Sequence, residues 1–143
     1  MKTESEKSLA LLDSNLLIYA YAEDSSKRQR AATLLNDCFL GKATFAISLQ
    51  NIGEFCNIAL GKYGLAVEDV WERVEELIGC GSFIKVNYIA STFQHALKVS
   101  ANSSIDFWDA MIVATMLENG IDTIYTEDAS FGKVEGIKAV NPF

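Results

Sequence analysis

The chain has 143 residues, of which 50% are hydrophobic and 22% are charged, as is typical of one globular domain. Its net charge of −7 argues against broad, nonspecific binding to nucleic acid, because such binding relies on Lys and Arg to neutralise phosphates. The three cysteines form no CxxC pair and the one histidine is His95, so we expect no thiolate zinc site and a reducing cytosol.

Residues 1–8 are polar and charged, and no apolar run approaches the roughly 18 residues that a membrane span requires. We therefore expect a cytoplasmic protein with no membrane association. The sequence has no internal repeat and no linker. It predicts a polar N-terminal extension over residues 1–8 and a single domain over residues 9–143.

Short apolar runs predict strands, and longer stretches with helical periodicity predict helices. In chain order the predicted elements are a strand at 9–12, helices at 16–22 and 26–40, a strand at 44–47, helices at 49–61 and 67–78, a strand at 83–86, helices at 89–99 and 106–118, and strands at 121–125 and 137–140. Ser25 or Ser26 is the expected N-cap of the second helix, and Ser48 that of the third. Strands that alternate with helices predict a three-layer α/β/α sandwich with a mainly parallel central sheet.

Acidic residues fall where the predicted elements meet one edge of that sheet. Asp13 directly follows the first strand, and Asp128 comes shortly after the fourth. The carboxyl ends of parallel strands share an edge, where ligands of open α/β sheets bind. Each aspartate, taken alone, is also explained as a helix cap or turn residue.

Two helices add carboxylates at the same edge. Glu54 lies about a turn and a half into the helix that follows Ser48, and Asp106 and Asp109 share the first turn of the strongly apolar helix at 106–118. Glu54 is equally explained as a solvent-facing glutamate. Asp106 is explained as an N-cap, and Asp109 as an acid favoured by the helix dipole, which is compatible with a ligand role.

Carboxylates gathered at one edge repel each other unless a cation compensates them. Hard oxygen ligands suit Mg²⁺ or Mn²⁺ rather than zinc, and such ions generate hydroxide and stabilise charge on a phosphodiester. The residues therefore predict a metal-assisted phosphodiester hydrolase.

The sequence from Leu9 to Phe143 resembles the PIN-domain proteins of the VapC-type toxin ribonucleases. The resemblance rests on the order and spacing of Leu11-Leu12-Asp13-Ser14-Asn15, Gly53-Glu54-Phe55, Phe107-Trp108-Asp109-Ala110-Met111-Ile112, Tyr125-Thr126-Glu127-Asp128 and the closing residues 136–143. It implies a Mg²⁺- or Mn²⁺-dependent endoribonuclease that acts on RNA.

The resemblance also assigns roles to individual residues. It implies that Asp13, Glu54, Asp109 and Asp128 form the catalytic acidic quartet that holds Mg²⁺ or Mn²⁺, with Asn15 and Thr126 orienting those acids. Within this quartet we expect Asp13, Asp109 and Asp128 to bind metal, and Glu54 to position or deprotonate the attacking water. Asp106 is an extra acid outside the quartet, which biases the charge of the pocket or caps the helix. The family implies two partners, a small antitoxin and a second copy of the chain in a homodimer.

Other residues give weaker signals. Lys27, Arg28 and Arg30 form the densest basic stretch, which is either a contact for an RNA backbone or, more simply, a solvated helix start. Trp71, Trp108 and the phenylalanines are expected to pack in the core rather than to stack on bases. His95 is expected to be a structural or surface residue.

Acidic α/β domains also serve other functions, which the sequence allows us to compare. A phosphoacceptor receiver would need an acid pair after the first strand, and a haloacid-dehalogenase-type phosphatase would need an aspartate where Asn15 stands; both are rejected. Two alternatives stay open, an inactive binding module with the PIN fold and a structure-specific DNA nuclease that uses the same quartet.

Overall fold

The computed structural model describes residues 9–23 and 25–143, so the predicted extension over residues 1–8 lies outside the described residues. The described residues form five strands and six α-helices. The strands are β1 (Ala10–Leu12), β2 (Phe45–Ser48), β3 (Phe83–Val86), β4 (Thr123–Tyr125) and β5 (Lys138–Val140). The helices are α1 (Ser14–Tyr21), α2 (Arg28–Phe39), α3 (Leu49–Gly61), α4 (Val67–Gly79), α5 (Thr92–Ser103) and α6 (Phe107–Glu118). A 3₁₀ helix spans Ala129–Lys133.

The five strands form one sheet in the order β3-β2-β1-β4-β5, and every neighbouring pair is parallel. The central strand β1 pairs Leu11 with Ala46 on one side and with Ile124 on the other. The strand order reverses at β1, because the chain first builds outward through β2 and β3 and then returns to add β4. Ligands of open α/β sheets bind at the carboxyl ends of the strands beside such a reversal.

Alternate residues of the strands face two separate hydrophobic cores, as the pleat of a strand requires. Leu12 and Ile47 pack into the core under α1 to α4, whereas Leu11, Ala46 and Ile124 pack into the core under α5 and α6. Both faces of the sheet are therefore covered. The predicted three-layer α/β/α sandwich with a mainly parallel sheet is confirmed.

The ends of some helices differ from the prediction. Neither Ser25 nor Ser26 is the N-cap of α2; Ser25 Oγ instead accepts the backbone N–H of Lys27 in the turn before the helix, and Lys27 takes the cap position. Helix α5 begins at Thr92 rather than residue 89, because Thr92 Oγ1 accepts the N–H of Ile89 and closes a separate turn.

The prediction that both tryptophans pack in the core is wrong. Trp71 on α4 is 65% exposed and Trp108 in the first turn of α6 is 54% exposed. Phe55, Phe83 and Phe131 do lie in the core. Apolar character alone predicted burial here, and it did not distinguish a side chain that faces the core from one that faces a groove. Within the described residues no helix is long and apolar enough to cross a membrane.

Candidate active site at the carboxyl edge of the sheet

Asp13 sits at the end of the central strand and is the most constrained acid of the molecule's carboxyl edge. It is the N-cap of α1, with Oδ1 accepting the N–H of Ser14 at 2.8 Å. Asn51 Nδ2 donates to the same oxygen at 3.2 Å, and Thr126 Oγ1 donates to Oδ2 at 2.8 Å. Burial raises the pKa of Asp13 while the hydrogen bonds from Thr126 and Ser14 oppose the rise, and the charge of Asp128 adds to it. Three donors hold one carboxylate in a fixed orientation.

Glu54 reaches the same edge from α3, the helix that Ser48 caps through a 3.0 Å bond from the N–H of Asn51. Gln50 Nε2 donates to its Oε1 at 3.2 Å, and Ser14 Oγ donates to its Oε2 at 3.4 Å. Burial raises the pKa of Glu54, and the negative charge of Asp13 raises it further. A partly buried carboxylate with a raised pKa is suited to accept a proton.

Asp109 lies in the first turn of α6 and accepts no side-chain or loop hydrogen bond from the described residues. Burial, followed by the charges of Asp128, Asp13 and Asp106, raises its pKa to about 6. Every residue of α6 from Ala110 to Met116 is buried, so the helix that carries Asp109 is packed into the core. Asp109 is thus a half-buried acid without a compensating donor among these residues.

Asp128 completes the group from the segment after β4. It is exposed, and its Oδ1 accepts the N–H of Ser130 at 2.9 Å as the N-cap of the 3₁₀ helix. The N–H of Asp128 donates to Thr126 Oγ1 at 2.9 Å. One threonine hydroxyl therefore ties the Asp128 backbone to the Asp13 carboxylate.

The two remaining predicted residues lie beside the four acids. Asn15 Nδ2 donates to Thr126 Oγ1 at 3.4 Å, so Asn15 supports Asp13 only through Thr126. Asp106 is exposed and holds the N-cap position of α6, but its side chain makes no capping hydrogen bond. Its charge contributes to the raised pKa of Asp109. The structure thus brings all seven predicted residues to one edge.

Three further polar residues belong to this site and were not identified in the sequence. Asn51 is completely buried and links Ser48 to Asp13, and Ser14 contacts both Asp13 and Glu54. Gln50 Nε2 donates to Glu54 and also to the backbone carbonyl of Trp108 at 3.0 Å. Their positions held a usable signal, because Gln50 and Asn51 precede Glu54 by four and three residues and so share its helix face.

The four carboxylates have no cationic partner in the described residues. The ion pairs of this part of the chain join Lys27 to Glu127, Arg73 to Glu76 and His95 to Glu118, and none includes the four acids. Oxygen donors with uncompensated negative charge suit a divalent cation such as Mg²⁺ or Mn²⁺. No three His, Cys, Asp or Glu side chains of residues 9–23 and 25–143 are arranged as a ready-made metal site. The fit therefore rests on the chemistry of the donors.

Comparisons with known proteins identify the same architecture. A family model described as the PIN domain matches residues 10–137. No curated protein sequence matches the chain. Among solved structures, a toxin-antitoxin complex from Klebsiella pneumoniae superposes with a TM-score of 0.65 at 22% identity, covering 94% of this chain and 98% of that chain.

Two other solved structures are similar over the same extent. FitAcB from Neisseria gonorrhoeae superposes with a TM-score of 0.62 at 19% identity, covering 94% of this chain and 98% of that one. VapC20 of Mycobacterium tuberculosis, a toxin that cleaves the sarcin-ricin loop, superposes with a TM-score of 0.69 at 13% identity, covering 90% and 98% of the two chains. At these identities the likeness establishes the fold.

Proposed function

Because this chain belongs to the PIN-domain family, a family of nucleases, we propose that its acidic edge is the active site of a metal-dependent endoribonuclease. The observation that carries the proposal is the meeting of four carboxylates, Asp13, Glu54, Asp109 and Asp128, with no cationic partner among the described residues. These acids arise from four different elements at the point where the strand order reverses. A domain that needed only stability would not concentrate uncompensated charge there.

In this proposal Asp13, Asp109 and Asp128 hold Mg²⁺ or Mn²⁺. Such an ion supplies a polarised water and stabilises the charge that grows on the phosphodiester. Asp13 is held ready by donors from Ser14, Asn51 and Thr126.

Glu54 accepts the proton of the attacking water. Its pKa is raised by burial and by the charge of Asp13, which makes it a stronger base than an exposed glutamate. Gln50 and Ser14 fix its two carboxylate oxygens.

The test is a cleavage assay on single-stranded RNA with Mn²⁺ or Mg²⁺, comparing the wild-type protein with Glu54→Gln. Loss of a general base is expected to lower kcat by about 10²- to 10⁴-fold. The matched control is Glu72→Gln, because Glu72 is an exposed glutamate on α4. Parallel assays on flapped DNA distinguish a DNA nuclease. If the metal-loaded wild-type protein cleaves neither RNA nor flapped DNA, and Glu54→Gln behaves in the same way, the chain is an inactive binding module and the proposal is overturned.

We further propose that the nuclease is the toxin of a toxin–antitoxin pair, bound by a small antitoxin and present as a homodimer. The toxin and antitoxin roles are supported by the similarity to a toxin-antitoxin complex and to VapC20, which is itself a toxin. The homodimer is implied by the family resemblance of the sequence. Expression of the wild-type chain alone is expected to arrest growth, and expression of Glu54→Gln is not. Rescue by a neighbouring small reading frame tests the antitoxin, and sedimentation of the purified chain tests the dimer. Unimpaired growth on wild-type expression contradicts the toxin role.

A further inference from the structure

A groove of about 690 Å³ opens beside the four acids, and Glu54 is the only one of them that lines it. Its sides are the exposed face of α3, the residues that follow β3, and the first turn of α6. Its polar side chains include the amides of Gln50, Asn57 and Asn87, and its aromatic side chains are Tyr88 and Trp108. We call it the amide–aromatic groove. Its volume is in the range of small-molecule sites.

The chemistry of the groove does not suit a phosphate. Glu54 is the one charged residue among those that line it, and neither lysine nor arginine is present. An anionic backbone gains nothing from such walls. An uncharged, flat group with hydrogen-bonding edges does fit, because it stacks on aromatic rings and pairs with amides. A nucleobase has both properties.

Trp108 provides an exposed stacking surface that contacts a neighbouring aromatic ring. Its ring meets Phe107 edge-on, with centroids 5.2 Å apart, and Phe107 lies 6.1 Å from Phe93 in a stacked arrangement. Phe93 in turn meets Tyr88 at 5.5 Å, so the two aromatic walls of the groove are joined by one chain of rings. A held aromatic side chain loses little freedom when a base stacks on it.

The groove is also joined to the acidic site by the hydrogen bonds of Gln50, and it has free space beside Gly53. Gln50 Nε2 donates both to Glu54 Oε1 and to the backbone carbonyl of Trp108. Gly53 lines the groove between them, and no heavy atom outside its own helix backbone and chain neighbours lies within 4 Å of the place where its Cβ would be. A Cβ atom at Gly53 would therefore lie in open space at the groove without clashing with the protein.

We propose that the amide–aromatic groove binds the nucleobase of a single-stranded RNA nucleotide next to the cleaved phosphate, with the base stacked on Trp108 and its edge contacted by Asn57 and Asn87. The position of the cleaved phosphate rests on the proposed nuclease function; the binding of a base does not. The groove thus gives the enzyme a requirement for an unpaired base beside the bond that it cuts.

Fluorescence of Trp108 tests base binding without requiring cleavage. The chain contains two tryptophans, so Trp71→Phe leaves Trp108 as the sole reporter, and adding Asp109→Asn silences cleavage. This protein is titrated in Mg²⁺ with short single-stranded oligomers of A, C or U, and with an abasic strand of the same length. Stacking is expected to quench Trp108 and to make a base-bearing strand bind about 5- to 150-fold more tightly than the abasic strand.

Gly53→Leu is the structural control, because leucine favours helix more than glycine and fills the groove. It is expected to abolish the quenching by base-bearing strands while the protein stays folded by circular dichroism. Equal affinity for abasic and base-bearing strands, or unchanged quenching in Gly53→Leu, overturns the inference.

Cleavage kinetics provide the second measurement. Trp108→Ala is expected to raise KM for single-stranded RNA about 5- to 150-fold with a smaller change in kcat, and Trp108→Phe to recover most of the loss. Equal KM values for wild type and Trp108→Ala contradict base stacking. Base-dependent quenching in the reporter protein, together with no RNA cleavage by the wild-type protein, refutes the nuclease function alone, so the two failures are distinguishable.

Discussion

Two aspartates occupy the same helical position in this chain and have opposite surroundings. Asp69 is the third residue of α4, and Asp109 is the third residue of α6. In both places the helix dipole favours a negative charge. Asp69 is exposed to solvent, whereas Asp109 is half-buried beside Asp13, Asp106 and Asp128, and its pKa is raised to about 6.

The difference shows that placement in the fold, and not helix position, sets the burial and the electrostatic surroundings of an acid. Helix α4 is amphipathic and turns its acids to water, with Val70 and Leu77 buried beneath them. Helix α6 is buried along most of its length and begins at the carboxyl edge of the sheet. Part of the net charge of −7 is thus concentrated at one site, which without a cation repels an anionic substrate. Three predictions contrast this edge with regions outside it.

The largest expected effect is stabilisation by metal. A ligand that binds only the folded state at 100 times its Kd adds about 2.7 kcal/mol to the free energy of unfolding. Saturating Mn²⁺ is therefore expected to stabilise the wild-type protein and Asp69→Asn to that extent, as measured by urea unfolding. Asp109→Asn removes a proposed ligand and should lose most of the gain. Equal stabilisation of both variants would remove Asp109 from the ligand set.

The next contrast compares two buried threonines, Thr126 at the edge and Thr115 within α6. Thr126 Oγ1 donates to the buried Asp13 carboxylate, whereas Thr115 Oγ1 donates to the Met111 carbonyl of its own helix at 2.8 Å. Thr126→Val keeps the shape but leaves Asp13 without one donor and the N–H of Asp128 without its acceptor. Together these losses are expected to lower the free energy of unfolding by about 1–3 kcal/mol.

Thr115→Val is the matched control. The Met111 carbonyl keeps its place in the helical ladder, so the expected loss is below about 1 kcal/mol. Urea unfolding at neutral pH in EDTA measures both variants. If the two variants lose the same free energy of unfolding, the hydrogen bonds of Thr126 at the edge stabilise the protein no more than the bond of Thr115 within its helix. Asp13 would then not be a carboxylate that its donors hold in place.

The layers of the fold and the positions of Asp13 and Asp109 were predicted from local patterns, whereas Glu54 and Asp128 depended more on the family resemblance. Apolar runs mark buried strands, and Asp13 directly follows one of them. The parallel arrangement then places the ends of β1 and β4 together, which the pairing of Leu12 with Tyr125 shows. That the four acids act together stays a prediction.

Features that depend on contacts between distant elements were not predicted. Nothing in the sequence near Asn51 shows that its amide meets Asp13, since the bond joins the third residue of α3 to the end of β1. The exposure of Trp108 depends on a groove that three separate segments create. Strand order and such contacts are properties of tertiary packing, which periodicity does not encode.

The smallest expected effect is a change in the free energy of unfolding, which has opposite signs for Asp109→Asn and Asp69→Asn. The pKa of Asp109 is raised from 3.8 to about 6 in the folded protein. Between these values the native state binds more protons than the unfolded state, so the Asp109 contribution to stability is present at pH 4 and lost as the pH rises through 6. Asp109→Asn avoids this loss. In EDTA at pH 8 it should be more stable than wild type by about 1 kcal/mol, after allowance for solvent screening of a half-exposed group.

Asp69→Asn is expected to do the reverse. It removes a favourable interaction with the helix dipole and should be less stable than wild type by about 0.3–1 kcal/mol at pH 8. Urea unfolding of the three proteins from pH 4 to pH 8 measures both effects, and the advantage of Asp109→Asn should vanish towards pH 4. If Asp109→Asn is instead destabilised at pH 8 like Asp69→Asn, the two acids are equivalent capping residues. In that case the favourable interaction of Asp109 with the dipole of α6 outweighs its repulsion from Asp128 and Asp13.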